Sequence, residues 1–277
     1  YDVFDENRYF EPGAGIKSFK VDINGKPLNF GVQICEDLWE DDYNFKITDT
    51  LIEKGAEMII NISASPYRKN ILDKRLKLCR DKSIHLKYYF IYCNIVGAQD
   101  ELVFDGRSFI MDPHGNIEVM GKLFTEDMVD FDTENSSHKK PEAVKIDESE
   151  ELFKALSLGV KDYFQKSGFS KAVVGLSGGI DSSLTAAIAV DALGSKKVRC
   201  VMMPSKYTSN VSVRDAESCA SRLGVRYDCI NVEPSVEKVN EVLKDVFTGE
   251  DQDQTEENIQ ARTRGMVLMA LSNKFGE

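Results

Sequence analysis

The loop Ser177-Gly178-Gly179-Ile180-Asp181-Ser182-Ser183 follows directly after the short apolar run Ala172-Val173-Val174-Gly175-Leu176. Residues 180–193 then have a helical composition, so the sequence predicts a strand, a tight turn and a helix in immediate succession. At such a junction, free backbone N–H groups and the positive end of the helix dipole point toward one place. The glycines let the backbone approach an anion closely, and the serine hydroxyls add donors. The stretch therefore predicts an anion site at the end of a buried strand.

Strands and helices alternate regularly around this loop. We predict strands at residues 172–176, 198–203 and 225–232, and helices at 150–166, 180–193, 213–223, 236–247 and 256–274. Such β-α repetition is typical of a parallel, doubly wound, Rossmann-like sheet whose ligand lies at the carboxyl ends of its strands. The second half of the chain is therefore expected to be part of an α/β domain.

The first half carries more strand signals. Asn24-Gly25 between the apolar runs 16–23 and 28–34 predicts a hairpin. Further strands are predicted at 57–62, 88–96, 108–111 and 117–120, with helices at 43–54 and 71–85. The apolar pattern stops at residues 133–148, which we interpret as a linker between a domain at 1–132 and a domain at 149–277.

Composition excludes some classes of function. The 277 residues are 42% hydrophobic and carry a net charge of -11, which argues against a general nucleic-acid binder because phosphate contacts need a positive surface. No apolar run approaches the 18 or so residues of a membrane span. The six cysteines form no C-x-x-C pair and favour a reducing, cytoplasmic setting. Because the chain opens on Tyr1, we expect it to be a piece of a longer protein.

The anion loop is not a Walker A loop, since no Gly-Lys-Ser/Thr follows at the required spacing. Its order resembles the pyrophosphate loop of the ATP pyrophosphatases, although two glycines between serines can also form an ordinary strand-to-helix turn. The resemblance implies that ATP is bound by Gly175, Leu176, Ser177, Gly178, Gly179, Ile180, Asp181 and Ser182. It also implies that Asp181 is a Mg²⁺ ligand, and a helix N-cap is the alternative role for this residue.

A cysteine in the first half lies where a nucleophile would be exposed. The segment Gly31-Val32-Gln33-Ile34-Cys35-Glu36-Asp37-Leu38-Trp39 places Cys35 at a sharp exit from a strand, where the next N–H can donate to an oxyanion. A lone cysteine is more often a core residue. This segment, however, resembles the catalytic region of the nitrilase-like amidases, which use a Glu-Lys-Cys triad. The resemblance implies a nitrilase-like α-β-β-α sandwich, of which this chain contains a part.

Three more segments narrow the resemblance. Residues 1–10, 61–67 and 93–108 are similar to the glutaminase domain of glutamine-dependent NAD synthetases. That family implies that Cys35 is the nucleophile, that the Glu36 N–H helps to hold the oxyanion, and that Tyr1, Ser63 and Lys69 bind glutamine. The triad lysine and glutamate of the family precede the position of Tyr1. We therefore expect the 277-residue chain by itself to have little or no glutaminase activity.

Two segments of the second half resemble the same synthetases. They are residues 203–209, which end a strand, and Thr255-Glu256-Glu257-Asn258-Ile259-Gln260-Ala261-Arg262-Thr263-Arg264, which opens the last helix. Thr255 is interpreted as the helix cap, and the resemblance implies that Asn258 and Arg262 bind deamido-NAD. The alternative is that Thr255 and the acidic pair Glu256-Glu257 only cap the helix, and that Arg262 and Arg264 are solvated.

The family implies a ligase that forms NAD from deamido-NAD, ATP and glutamine-derived ammonia through an acyl-adenylate. It would release AMP and pyrophosphate, with ATP as substrate and Mg²⁺ as metal, and it would act in the cytoplasm as a homo-oligomer without nucleic-acid or membrane partners. Two alternatives stay open. One is another ATP-pyrophosphatase amidotransferase, and the other is a non-catalytic nucleotide-binding subunit.

Overall fold

The computed structural model describes residues 8–11, 13, 15–40, 46–133 and 146–277. The chain divides into two compact units, Tyr1–Glu151 and Leu152–Glu277. The predicted linker falls mainly outside the described residues, and its boundaries stay a prediction. Tyr1, the first predicted glutamine ligand, also lies outside them.

In the first unit the described strands and helices follow one another in mixed order. They are β1 (Ser18–Ile23), β2 (Lys26–Ile34), α1 (Ile47–Glu53), β3 (Met58–Ser63), α2 (Ile71–Leu86), β4 (Tyr89–Asn94), β5 (Val96–Gln99), β6 (Leu102–Asp105), β7 (Phe109–Met111) and β8 (Ile117–Met120). Among the described residues, six strands form one sheet in the order β1-β2-β3-β4-β7-β8. The central strands β2, β3 and β4 are parallel, and β5 pairs with β6 in a separate hairpin.

The two faces of the large sheet differ in burial. Gln33, Asn61 and Tyr92 occupy one row of register and are fully buried on the face that carries the helices. The next row alternates to the other face, where Ile34 is 69% and Ile62 is 54% exposed. This period of two follows from the pleat of each strand. The parallel strands β2, β3 and β4 bring their carboxyl ends to one edge of the sheet, and the described helices α1 and α2 pack on one of its faces.

The predicted hairpin at Asn24-Gly25 is confirmed, and both residues have positive φ, as a two-residue turn of this kind requires. The predicted strand at 88–96 is in fact two strands. β4 ends at Asn94, and Ile95 donates its N–H to the Ser63 carbonyl at 3.0 Å before β5 begins. The chain therefore leaves the large sheet one residue after β4, which the continuous apolar run could not indicate.

The second unit begins within α3 (Glu148–Ser167) and is an alternating α/β structure. Its remaining elements are β9 (Ala172–Gly175), α4 (Ile180–Leu193), β10 (Val198–Met202), α5 (Asn210–Leu223), β11 (Arg226–Cys229), α6 (Glu233–Leu243) and α7 (Gln254–Phe275). The described strands form a parallel sheet in the order β11-β10-β9. The predicted alternation is confirmed, although α6 begins three residues earlier than predicted because Pro234 lies in its first turn.

Helices cover both faces of this sheet. Alanines of α4 and α5 pack on Val198, Cys200 and Met202, whereas α7 packs against the alternate residues Val201 and Met203. Alanines suit this position because small side chains let a helix approach a sheet closely. Both faces are therefore occupied, as the Rossmann-like prediction requires. Within the described residues, no helix combines the length and apolar composition needed to cross a membrane.

Candidate functional site

Cys35 lies at the carboxyl edge of the first sheet, immediately after β2, and opens the short 3-10 turn Cys35–Leu38. Its φ is 43°, in the left-handed region that residues other than glycine rarely adopt. Asp37 stabilises the turn by accepting the Ile34 N–H at 2.8 Å. Such strained positions concentrate at active sites, where they are held by the surrounding structure. The elbow predicted at Cys35 is confirmed.

The end of β3 supplies the groups around the Cys35 sulfur. Partial burial is the largest influence on the Cys35 thiol and raises its pKa above the ordinary value, and the charge of Glu36 acts in the same direction. The Ala64 backbone amide, the Ser63 hydroxyl and the charge of Arg75 lower this pKa by smaller amounts. The thiol is therefore protonated near neutral pH, and attack on a substrate requires a group that accepts its proton.

The structure brings one of the two described glutamine candidates to the cysteine. Ser63 is only 6% exposed and close enough to Cys35 to lower the pKa of its thiol, and its hydroxyl donates to Asn61 Oδ1. Lys69 instead places its Nζ 2.5 Å from Oε1 of Glu148, and both side chains are well exposed. The role predicted for Lys69 in glutamine binding stays a prediction.

Sequence reasoning missed a buried polar cluster behind Ser63. Arg75 and Asn94 both hydrogen-bond to Ser65 there, and Asp105 pairs with Arg75. One signal was available in the sequence, because Arg75 lies at helical spacing between the buried residues Ile71 and Cys79. An arginine in the apolar stripe of a helix requires a buried partner. The helical pattern alone does not say which residue that partner is.

The loop after β9 forms a tight, internally bonded turn before α4. Ser182 Oγ accepts the Ser177 N–H at 3.1 Å and donates to the Gly179 carbonyl at 3.0 Å. Ser177 Oγ accepts the Gly179 N–H at 3.2 Å. These serine hydroxyls thus accept hydrogen bonds from N–H groups that an anion would otherwise bind. A phosphate that enters the loop would replace the hydroxyls as the acceptor. The loop lies at the carboxyl end of a parallel strand, where the sequence placed it.

Gly178 is the most constrained residue of the loop. Its φ is +85°, and a Cβ built on it would lie 2.2 Å from the backbone oxygen of Ser212 in the first turn of α5. Both facts exclude a side chain, because the conformation is left-handed and the neighbouring atom is backbone. The loop and the N-terminal turn of α5 are therefore in direct backbone contact.

Asp181 is exposed in the first turn of α4, whereas the N-cap position belongs to Gly179. The alternative role of Asp181 as the N-cap is therefore wrong. The described part of the chain contains no cluster of three or more His, Cys, Asp or Glu side chains that could hold a metal ion alone. Mg²⁺ is commonly bound by one or two carboxylates together with substrate phosphates and water. A single exposed carboxylate beside a phosphate loop fits that donor set.

The two segments singled out in the second half contact each other. Ser205, just beyond β10, donates its hydroxyl to Gln260 of α7 at 3.0 Å. Arg264 donates Nε to the Met203 carbonyl at 3.1 Å and Nη2 to Ser205 Oγ at 3.3 Å. The alternative in which Arg264 is merely solvated is therefore wrong. Gln260 and Arg264 anchor α7 to the end of β10.

The opposite face of α7 is open to solvent. Asn258 and Arg262 are both exposed, and Arg262 Nη1 lies 3.4 Å from the Asn258 carbonyl. The helix cap is Asp253, which accepts the Thr255 N–H at 2.7 Å and forms a capping box with Glu256. The prediction of Thr255 as the cap is therefore wrong. Asn258 and Arg262 take no part in this cap, and their role in binding deamido-NAD stays a prediction.

Comparison with known proteins places both halves in one family. The carbon-nitrogen hydrolase profile matches residues 2–135, and the NAD synthase profile matches residues 152–277. The glutamine-dependent NAD(+) synthetase of Acinetobacter baylyi is 42% identical over 279 residues, which cover 100% of this chain and 50% of that protein. The chain belongs to the glutamine-dependent NAD synthetase family.

Other members of the family agree in sequence and in fold. The glutamine-dependent NAD(+) synthetase of Thermotoga maritima is 40% identical over 314 residues, covering 100% of this chain and 53% of that protein. A structure of the glutamine-dependent NAD+ synthetase from Acinetobacter baumannii in complex with ADP has a TM-score of 0.89 and 38% identity. The match covers 100% of this chain and 52% of the chain in that structure. The chain thus spans about half the length of the family members it matches, and the predicted fold class is confirmed.

Substitutions of Arg264 and Arg262 test whether Arg264 anchors α7 to the end of β10 while Arg262 adds little to stability. Arg264→Met is expected to reduce the free energy of unfolding by about 1–3 kcal/mol, because the buried Met203 carbonyl loses its donor. Arg262→Met is expected to change it by less than about 0.5 kcal/mol, since this side chain is exposed. Denaturant unfolding of both variants measures the difference. Equal losses would contradict the assignment of Arg264 to the anchor.

Proposed function

We propose that this chain forms part of an enzyme that makes NAD from deamido-NAD, ATP and the amide nitrogen of glutamine. The observation that carries the proposal is that one chain combines a cysteine elbow with a phosphate loop, and that relatives named glutamine-dependent NAD(+) synthetase match both over its whole length. A glutaminase and an ATP-dependent ligase in one chain are together sufficient to transfer ammonia to an acid.

In the first unit, Cys35 Sγ would attack the side-chain carbonyl carbon of glutamine. The C–N bond then breaks, ammonia leaves, and water hydrolyses the thioester to glutamate. The backbone N–H of Glu36 would donate to the oxyanion, and Ser63 would help to hold the substrate beside the thiol. The thiol proton must pass to a base, which the family resemblance assigns to a glutamate upstream of Tyr1.

In the second unit, the carboxylate of deamido-NAD would attack the α-phosphorus of ATP, and pyrophosphate would leave with the electrons of the P–O bond. Ammonia then attacks the acyl carbon of the adenylate, and AMP leaves. The loop at residues 177–183 would hold the pyrophosphate through its N–H groups, and Asn258 and Arg262 would hold the dinucleotide. Mg²⁺ bound by Asp181 and the phosphates would neutralise charge on the leaving group.

An isotope experiment tests this sequence of steps in the full-length protein. Deamido-NAD labelled with ¹⁸O in its carboxylate is incubated with ATP, Mg²⁺ and glutamine. Adenylation predicts one labelled oxygen in AMP, because the attacked phosphorus keeps the carboxylate oxygen when the amide forms. Formation of ADP, or of AMP without the label, would contradict the mechanism. A second copy of the chain as partner and a cytoplasmic site of action belong to the same proposal, and sedimentation analysis would test the first.

A further inference from the structure

Arg75 is the largest side chain that is fully buried in the described part of the chain. It projects from α2, and its Nη1 donates to both carboxylate oxygens of Asp105, at 2.8 and 2.9 Å. Asp105 ends β6 and is itself only 1% exposed. The two charges are therefore fully paired and removed from solvent.

The remaining guanidinium N–H groups bind the segment that follows Ser63. Nη2 donates to the Ser65 carbonyl at 2.8 Å and to the Pro66 carbonyl at 3.1 Å, and Nε donates to Ser65 Oγ at 3.2 Å. Asn94, at the end of β4, accepts the Ser65 N–H at 2.9 Å. Both backbone polar groups of Ser65 are thus held by side chains from other elements.

This held segment contains the groups that surround Cys35. Ala64, whose backbone amide lowers the pKa of the Cys35 thiol, lies between Ser63 and Ser65 in sequence. Ser63 ends β3, which pairs in register with β2 up to Ile34, the residue before Cys35. A shift of Ser65 would therefore move the Ala64 amide and the Ser63 hydroxyl relative to the thiol. Small displacements of such groups have large effects on rate, because the reacting atoms must be aligned.

Stability alone does not account for a buried ion pair in this place. Apolar residues of similar volume commonly replace such pairs with no loss of stability, since two charges must be desolvated to form one. Here every guanidinium nitrogen is used, and the bonds beyond Asp105 all go to Ser65 and Pro66. The direction of these bonds indicates a role in fixing the segment.

We propose that the Arg75–Asp105 pair positions residues 63–66 so that glutamine is held against Cys35, and that Arg75 is a positioning residue for the glutaminase reaction. The proposal rests on the proposed function, because it requires glutamine to be the substrate of Cys35. Neither charge takes part in a chemical step. Their effect is carried through the backbone of Ser65 and Ala64.

Arg75→Lys in the full-length protein is the first test, since lysine keeps the charge but loses the planar fork. We expect kcat/KM for glutamine to fall about 100-fold, whereas NAD formation from ammonium chloride is unchanged. Arg80→Lys is the matched control, because Arg80 lies on the same helix and donates to the Gly115 carbonyl at 3.0 Å. A fall no larger than that of the control, or a parallel loss with ammonium chloride, would overturn the proposal.

The double variant Arg75→Met/Asp105→Leu separates positioning from folding. It removes both charges together, so no charge is left buried without a partner, but the Ser65 and Pro66 carbonyls lose their donor. We therefore expect a cooperatively folded protein with a moderately lower melting temperature, while turnover of glutamine stays low. Cys35 should still be alkylated by iodoacetamide, but labelling by a diazoketone analogue of glutamine should be lost. Normal glutaminase activity in this variant, or failure of both variants to fold, would overturn the positioning role. A wild-type protein that releases no glutamate from glutamine would overturn the proposed function as well.

Discussion

Replacing Cys35 with alanine is expected to abolish glutamine-dependent NAD formation in the full-length protein and to leave formation from ammonium chloride intact. Removal of a nucleophile that forms a covalent intermediate costs about 10⁴-fold or more in turnover. The second unit does not need the thiol, because ammonia can reach the adenylate from solution. The measurement is the rate of NAD formation with each nitrogen source at saturating ATP and deamido-NAD.

Cys93 provides the matched control for this experiment. It is an exposed cysteine on β4 with no role in the proposed chemistry, and Cys93→Ala should retain both activities. If Cys35→Ala keeps its glutamine-dependent rate, Cys35 is not the nucleophile. If it loses both rates, the two halves of the proposed reaction are not separable in this way.

Gly178→Ala is expected to remove ATP binding and, with it, NAD formation from either nitrogen source. The new Cβ would lie 2.2 Å from the Ser212 backbone oxygen, so either the loop or the first turn of α5 must move. Backbone cannot be displaced as cheaply as the end of a flexible side chain. We expect the affinity for ATP to fall about 100-fold or more, measured by titration calorimetry.

Gly168→Ala separates the effect of the contact from that of backbone conformation. Gly168 has a similar φ, +75°, but no atom lies within 4 Å of the position that a Cβ would take there. It should lose about 1–2 kcal/mol of stability, the usual cost of a left-handed alanine, and should keep its affinity for ATP. Equal losses of affinity in both variants would show that conformation rather than contact decides the result at Gly178.

Local patterns were sufficient to predict most elements of the fold. Asn24-Gly25 predicted the hairpin because type I′ turns require residues that tolerate positive φ. The apolar runs that became β9 and β10 predicted parallel strands because both are short and are followed by helices. The predicted strand at 88–96 was wrong because one apolar run continues through Ile95, where the chain leaves one sheet and begins to pair in another. The periodicity of a run indicates burial, but it does not indicate which strand lies alongside.

Some residues of the candidate site were likewise predicted from the sequence, whereas others were missed. Cys35 and the loop at 177–183 were visible in the sequence because each depends on neighbours only a few residues away. Arg75 was not visible as part of a site, since its partner Asp105 is 30 residues away and its other hydrogen bonds go to the Ser65 hydroxyl and to two backbone carbonyls. The inward role of Arg264 was missed for the same reason, because its acceptor at Met203 is 61 residues away.

The sequence by itself thus determined the α/β class, and it indicated the proposed chemistry and the places of the candidate nucleophile and phosphate loop. These properties follow from residue type, spacing and backbone preference, which are local. Only the tertiary structure decided which groups hold the site in shape: the ion pair behind Ser65, the backbone contact at Gly178 and the anchoring of α7. Such pairings depend on distances between residues far apart in the chain, and hydrogen bonds are made only when donor and acceptor meet within about 3 Å.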